Sequence, residues 1–223
     1  MTKNKGNMYE FVTHTHNFIH GECYHDCSYC YMKLIGRGML GSARLGEKDF
    51  ISLGSENFIF VGSGIDMWAA NIPDDWIVRV LDHCDKYENK YLFQTKSPER
   101  FTAFLEHPTI QNKSVLCTTL ETNRWYKDVM RQAPAPSNRV KNMGRISQSG
   151  IPVFVTAEPL MDFDIDEFVE MLHRSHPMQV NIGRNTNRQV AVPEPSYEKV
   201  QELAKRLSSF TNIHIKANAS CWK

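Results

Sequence analysis

The sequence predicts an α/β fold, a partial (β/α)6 TIM-like barrel of parallel strands. Two observations carry this. Short continuous apolar runs recur along the 223 residues, and stretches with helical spacing separate them in regular turn. Such runs mark strands buried on both faces. Parallel strands need long crossover connections, which helices supply with a right-handed sense. Six strands fall short of the eight of a closed barrel. The length suits a single domain over 1–223.

The elements follow in order. A first strand is expected at about residues 9–18. The second, Phe58-Ile59-Phe60-Val61, stops at Gly62. Then come Tyr91-Leu92-Phe93, Ser114-Val115-Leu116-Cys117, Val153-Phe154-Val155 and Gln179-Val180-Asn181-Ile182, with Ile213-His214-Ile215 as a closing strand. Pro73 with Asp74 and Asp75 opens a helix over 76–87, whose Ile77, Val80, Leu81 and Cys84 share one face. Ser97-Pro98-Glu99 opens another, carrying Phe101, Phe104 and Leu105. Ala133-Pro134-Ala135-Pro136 reads as a loop before a helix over 138–149. Asp164 can cap a helix presenting Ile165, Phe168, Val169 and Leu172, and the last helix presents Val200, Leu203, Ala204 and Leu207.

Composition narrows the function. Net charge is +1, so no global field announces nucleic acid or membrane. No apolar stretch approaches ~20 residues, which excludes a membrane-spanning helix. The start, Met1 to Asn7, is polar and has no charged-then-apolar leader. Six cysteines in such a chain fit thiols in a reducing cytosol better than a disulfide framework, so a cytoplasmic location is expected.

Three of those cysteines share one loop, Cys23-Tyr24-His25-Asp26-Cys27-Ser28-Tyr29-Cys30. The spacing CxxxCxxC suits three thiolates on a cubane [4Fe-4S] cluster, leaving one iron open to a substrate or cofactor. A Cys3His zinc site with His20 or His25 is the alternative, although structural zinc modules usually draw ligands from two separated knuckles. Cys84 belongs to a helix core face and Cys117 to a strand. Cys221 remains a thiol able to donate hydrogen.

Chemistry in such a sheet belongs at the carboxyl ends of the strands. The second strand ends Gly62-Ser63-Gly64-Ile65-Asp66, where glycines let a ligand approach the backbone. The third ends Gln94-Thr95-Lys96-Ser97, and Lys96 can meet a carboxylate. Thr118, Thr119 and Glu121 follow the fourth, Glu158 the fifth, and Asn181, Gly183 and Arg184 the sixth. Arg124, Lys127, Arg131, Arg139, Lys141 and Arg145 stand against Asp128 alone, with Arg184 and Arg188 further on; they form either a solvated face or a phosphate-binding patch.

The cysteine loop, with Tyr29 before its last cysteine, resembles that of the radical S-adenosylmethionine (SAM) superfamily. The resemblance implies the same partial barrel, with Cys23, Cys27 and Cys30 as cluster ligands and the open iron chelating SAM. It implies Tyr29 against adenine, and Ser63 and Asp66 where the superfamily has a Gly-Gly-Glu that holds the SAM amino group. Lys96 would take the SAM carboxylate, as a Thr-Lys-Ser does in the spore photoproduct lyase-like branch, and Thr118 would take another polar group. Glu121, Glu158 and Cys221 remain as candidates for acting on substrate. An electron donor such as flavodoxin or ferredoxin is implied.

The order of Asn17, Phe60-Val61-Gly62-Ser63-Gly64-Ile65-Asp66, Pro73-Asp74-Asp75-Trp76-Ile77, Phe93 to Arg100 and Ala157-Glu158-Pro159-Leu160 is similar to a phage-associated radical SAM family of undefined function. With the basic stretch, this points to a nucleotide or DNA base being modified or rearranged, including an isomerase step in thymidine hypermodification. True photoproduct lyases carry a hydrogen-donating cysteine at the end of the second strand. Gly62 and Ser63 stand there, so direct thymine-dimer repair is not expected. Two other classes compete: a non-catalytic iron–sulfur or zinc protein that binds nucleic acid, and a metal-dependent amidohydrolase. The latter is suggested by His14-Thr15-His16, two histidines on one face of a strand, but only His214 could supply a further histidine ligand.

Overall fold

Each apolar run becomes a strand in the computed structural model, which describes residues 1–4, 6–36 and 41–222. The strands are β1 (Thr2–Lys3), β2 (His14–His16), β3 (Ile19–His20), β4 (Arg44–Leu45), β5 (Phe58–Val61), β6 (Lys90–Thr95), β7 (Ser114–Thr119), β8 (Val153–Ala157), β9 (Gln179–Ile182) and β10 (Asn212–Ile215). The helices are α1 (Met32–Gly36), α2 (Asp74–Asp85), α3 (Pro108–Lys113), α4 (Lys127–Met130), α5 (Pro136–Ser147), α6 (Ile165–Arg174) and α7 (Tyr197–Leu207).

One eight-stranded sheet runs in the order β1-β2-β5-β6-β7-β8-β9-β10. All neighbours are parallel except β1, which pairs antiparallel with β2. The architecture is the expected partial TIM-like barrel, with seven parallel strands rather than six because the closing run joins the ladder.

Other departures have local causes. The first strand keeps only His14–His16, since the chain before it makes a turn in which Val12 N–H donates to the Tyr9 carbonyl at 3.1 Å. Residues Pro98–Phe104 form a 3-10 helix rather than an α-helix. Helix α5 starts at Pro136, which sits at the first helical position, where its missing N–H costs nothing. A short antiparallel pair, β3 with β4, flanks the cysteine loop.

Side-chain alternation sorts the strands into two layers. Ile59, Val61, Tyr91, Phe93, Leu116 and Val153 face outward with α2 and α5, around Trp68, Phe101 and Met143. Val155, Ala157, Val180 and Ile182 face α6 and α7. The opposite parity points inward, where Phe60, Leu92 and Cys117 pack with Tyr9 and Val12. This parity decides which residues at the strand ends reach the site. Among the described residues no helix is long and apolar enough to cross a membrane.

Candidate active site

A cavity of about 640 Å3 opens at the carboxyl ends of the parallel strands. Its lining joins the cysteine loop to the exits of β5, β6, β7, β8 and β10. Cys23, Cys27 and Cys30 all line it, with Tyr29, Ser63, Asp66, Lys96 and Glu158. None of the three cysteines is in a disulfide.

Burial pushes the Cys23 thiol up to about 12, against backbone N–H groups of Asp66 and His25 that favour its thiolate. Burial also raises Cys27, whose sulfur donates to the Met130 carbonyl at 3.6 Å. A bound cation would supply what these thiols lack, because metal coordination deprotonates a thiol outright. Among the described residues no group of three His, Cys, Asp or Glu side chains stands close enough to hold a single ion. In a cubane each thiolate takes a different iron, and three uncrosslinked sulfurs on one wall fit that donor chemistry.

Lys96 is the unusual charge. Of the lysines lining the cavity, Lys33 is paired with Asp26, and Lys216 with Glu158 at 2.5 Å. Lys96 has no carboxylate partner among the described residues, and its ammonium sits 5.5 Å from the centroid of the Tyr29 ring. Burial alone would lower its pKa, but the negative charges of Cys27 and Glu121 outweigh this and hold it above the ordinary value. It stays a cation, open to an anion.

Asp66 lines the cavity as a brace rather than a free ligand. Its Oδ1 accepts from Trp68 N–H at 3.0 Å; its Oδ2 accepts from the Thr95 hydroxyl and Lys96 N–H, each at 2.8 Å, and lies 2.8 Å from His25 Nε2. Burial would raise this carboxyl, but the hydrogen bond and charge of His25 bring it below the ordinary value. The brace fixes the cysteine loop to the exits of β5 and β6. Ser63 lies beside Asn17, 3.4 Å from its amide nitrogen, and the Tyr31 hydroxyl donates to the Ser63 carbonyl at 2.7 Å.

Three expected site residues are corrected. Thr118 does not line the cavity: it lies on the outer parity of β7 and gives its hydroxyl to the Thr95 carbonyl at 2.7 Å, while Thr119 faces inward. Glu121 is wholly buried beyond the strand end, paired with Arg139 at 2.7 Å and accepting the Tyr29 hydroxyl. Cys221 is exposed, 3.4 Å from Arg184 Nη1 and off the cavity.

The basic stretch also comes apart. Arg139 is a core residue, Arg124 is held by Asp162 and Asp164, Arg131 by Asp26, and Arg184 by Glu194. None of its members lines the cavity. His16, of the paired histidines, points outward against Phe18 and bonds the Asp49 carbonyl at 2.8 Å. The amidohydrolase reading loses its ligands.

Several lining residues were not anticipated: Asn7, Tyr9 and Lys216; His25 was considered only as a zinc ligand. Lys216 follows the closing strand by one residue, so the rule that placed Lys96 would also have found it. Glu158 accepts from Asn7 at 2.7 Å and Asn218 at 2.8 Å besides Lys216.

No protein-family model matches the chain, and no curated protein does. Solved structures do. A mutant of spore photoproduct lyase superposes with a TM-score of 0.68 at 11% identity, covering 96% of this chain and 79% of that one. Spore photoproduct lyase complexed with dinucleoside spore photoproduct gives 0.61 at 10% identity, over 90% and 74%. Streptococcus suis SuiB bound to S-adenosylmethionine gives 0.57 at 11% identity, over 94% of this chain and 51% of SuiB, so this chain spans about half of SuiB. At such identities the likeness is one of fold.

Proposed function

We propose that this protein is a radical SAM enzyme, with a [4Fe-4S] cluster held by Cys23, Cys27 and Cys30. One observation carries the reading: three uncrosslinked cysteines from an eight-residue loop open on the same cavity as Lys96, its one lysine without a carboxylate partner among the described residues. When bound, cluster and SAM supply one-electron cleavage of a carbon–sulfur bond and a 5′-deoxyadenosyl radical that abstracts hydrogen from a substrate. The electron comes from a donor such as flavodoxin or ferredoxin.

The chain supplies position and charge. Lys96 takes the carboxylate of SAM through a charge-assisted hydrogen bond. Tyr29 forms the wall beneath that ammonium, and Asp66 with His25 holds the loop against β5 and β6. Gly62, at φ +84°, makes the turn at the β5 exit in a conformation that strains other residues; a Cβ there would stand 3.3 Å from Ile65 O and Met67 Cγ.

For the substrate we favour a nucleotide or DNA base, as suggested by the dinucleoside bound to the photoproduct lyase of like fold. Its phosphates would not meet the arginine cluster, which lies off the cavity. Modification or isomerisation of such a base, as in phage thymidine hypermodification, is the finer proposal, in a cytoplasmic setting.

The test is anaerobic reconstitution of the full chain. It should give a brown protein with about four irons, and reduction with SAM should release 5′-deoxyadenosine and methionine. Cys27→Ala should do neither. A stable colourless protein holding one zinc, or equal background release by wild type and variant, overturns the proposal.

A further inference from the structure

One end of the cavity, where β8 and β10 exit, is electrically compensated. There Lys216 Nζ lies 2.5 Å from Glu158 and 4.3 Å from the Tyr9 ring centroid. Glu158 is fixed in turn by Asn7 and Asn218. The ion pair is almost fully enclosed, with Lys216 4% exposed.

The side chains at this end that keep a free N–H or O–H are Lys216, Gln94 and Thr119. An ammonium has three donors, and Glu158 takes one from Lys216. Gln94 gives one N–H to Thr119 Oγ1 at 3.1 Å and keeps another, its carbonyl accepting from the Tyr9 hydroxyl at 2.6 Å. The Thr119 hydroxyl proton has no acceptor among the described residues. Glu158 and Asp66, by contrast, have every carboxylate oxygen engaged. A ligand that matches this end brings acceptors.

Charge decides which acceptors. An oxyanion beside Lys216 would also face Glu158, so its Coulomb gain is largely cancelled while its loss of hydration is not. A neutral carbonyl oxygen accepts the same N–H without that loss. Tyr9 and Phe60 add flat aromatic walls. We infer that Lys216, Gln94 and Thr119 form a subsite for an uncharged carbonyl-bearing group of the substrate, an amide or cyclic imide, and that anions are received at Lys96 instead. This rests on the proposed function in taking the cavity as the substrate chamber.

Binding to the full chain, read by saturation-transfer NMR and titration, tests it with three probes. Thymidine offers a cyclic imide, N-acetylglycine methylamide an open-chain amide, and thymidine 5′-monophosphate the imide plus a phosphate. At least one uncharged probe should bind, which identifies the source of the carbonyl, and Lys216→Met should weaken it about tenfold or more while leaving SAM affinity unchanged. In a Lys96→Ala background the monophosphate should bind no tighter than thymidine, with little change up to about 0.3 M salt. Glu158→Gln keeps an acceptor for Lys216 but removes the compensating charge. It should shift the preference toward the monophosphate by about tenfold, and it carries the test if Lys216→Met does not fold.

Binding of neither uncharged probe, no effect of Lys216→Met, or a salt-sensitive preference of the Lys96→Ala protein for the monophosphate overturns the inference. The carbonyl-probe titrations need neither cluster nor turnover; only the SAM control uses the reconstituted protein. A chain that binds carbonyl probes through Lys216 but never cleaves SAM would sink the radical reading alone.

Discussion

Arg139 Nη1 lies 2.7 Å from Glu121 Oε2, with both side chains wholly removed from solvent, and the second oxygen of the same carboxylate accepts the hydroxyl of Tyr29. Helix α5, the exit of β7 and the cysteine loop thus meet at one buried carboxylate. The pair works on the site from behind.

Breaking that pair from one side should be costly. Glu121→Gln or Arg139→Met leaves the partner charge buried and uncompensated, a loss of roughly 3–5 kcal/mol. Replacing both with apolar groups of similar volume should recover much of it. Tyr29→Phe, which deletes a hydroxyl donor, should cost roughly 1–3 kcal/mol, the lower end expected because Arg139 still satisfies the carboxylate. Urea midpoints at constant slope measure all four variants; Glu121→Gln or Arg139→Met as stable as wild type would show that the pair is not a brace.

The same carboxylate sets a pH dependence. Burial would raise Glu121, but Arg139 and Lys96 outweigh it and hold the group below its ordinary value of 4.5. A depressed folded value contributes stability that is present above the unfolded value and is lost as pH falls through the folded one. Wild type should therefore lose stability below about pH 4.5 more steeply than Glu121→Gln does. Parallel urea-stability curves for the two proteins would contradict the assignment.

Lys96→Ala should weaken SAM binding by roughly 1.5–3 kcal/mol, the range for a hydrogen bond to a charged group. Iron content after reconstitution should not change, since Lys96 is not a ligand. Equilibrium dialysis beside iron analysis separates the two effects, and unchanged affinity would remove Lys96 from the binding wall.

Cys221→Ser should leave iron content and SAM cleavage as in wild type, because Cys221 is exposed and off the cavity. Cys27→Ala should lose both. Impaired turnover in Cys221→Ser at full iron content would return that thiol to the reaction.

The strand runs, most helices and the cysteine loop were legible because each is written in contiguous residues. Lys96 was legible from its place after a strand. Thr118 was chosen over Thr119 because the parity of β7 follows from the packing of the whole sheet, and nothing within Ser114–Thr119 tells the two faces apart. Arg139 looked like one more member of a basic stretch, since its partner Glu121 is remote in sequence and shares no spacing pattern with it. Asp66, picked from its place after a strand, lines the cavity, yet its four hydrogen-bond partners come from three segments, so its role as a brace is visible only in the fold.

The asparagine contacts around Glu158 impose an order in time. Asn7, Glu158 and Asn218 leave the ribosome in that sequence, and Asn218 is made long after the cysteine loop. Until it arrives, the Glu158 carboxylate lacks one of its donors, and Asn7 Oδ1 lacks the Asn218 N–H it accepts at 3.0 Å. The cysteine loop and β2 are therefore synthesised while the cavity still lacks its Lys216 wall. If Cys23, Cys27 and Cys30 hold a cluster as proposed, one delivered during synthesis would meet an unfinished cavity, and one delivered after release a finished one.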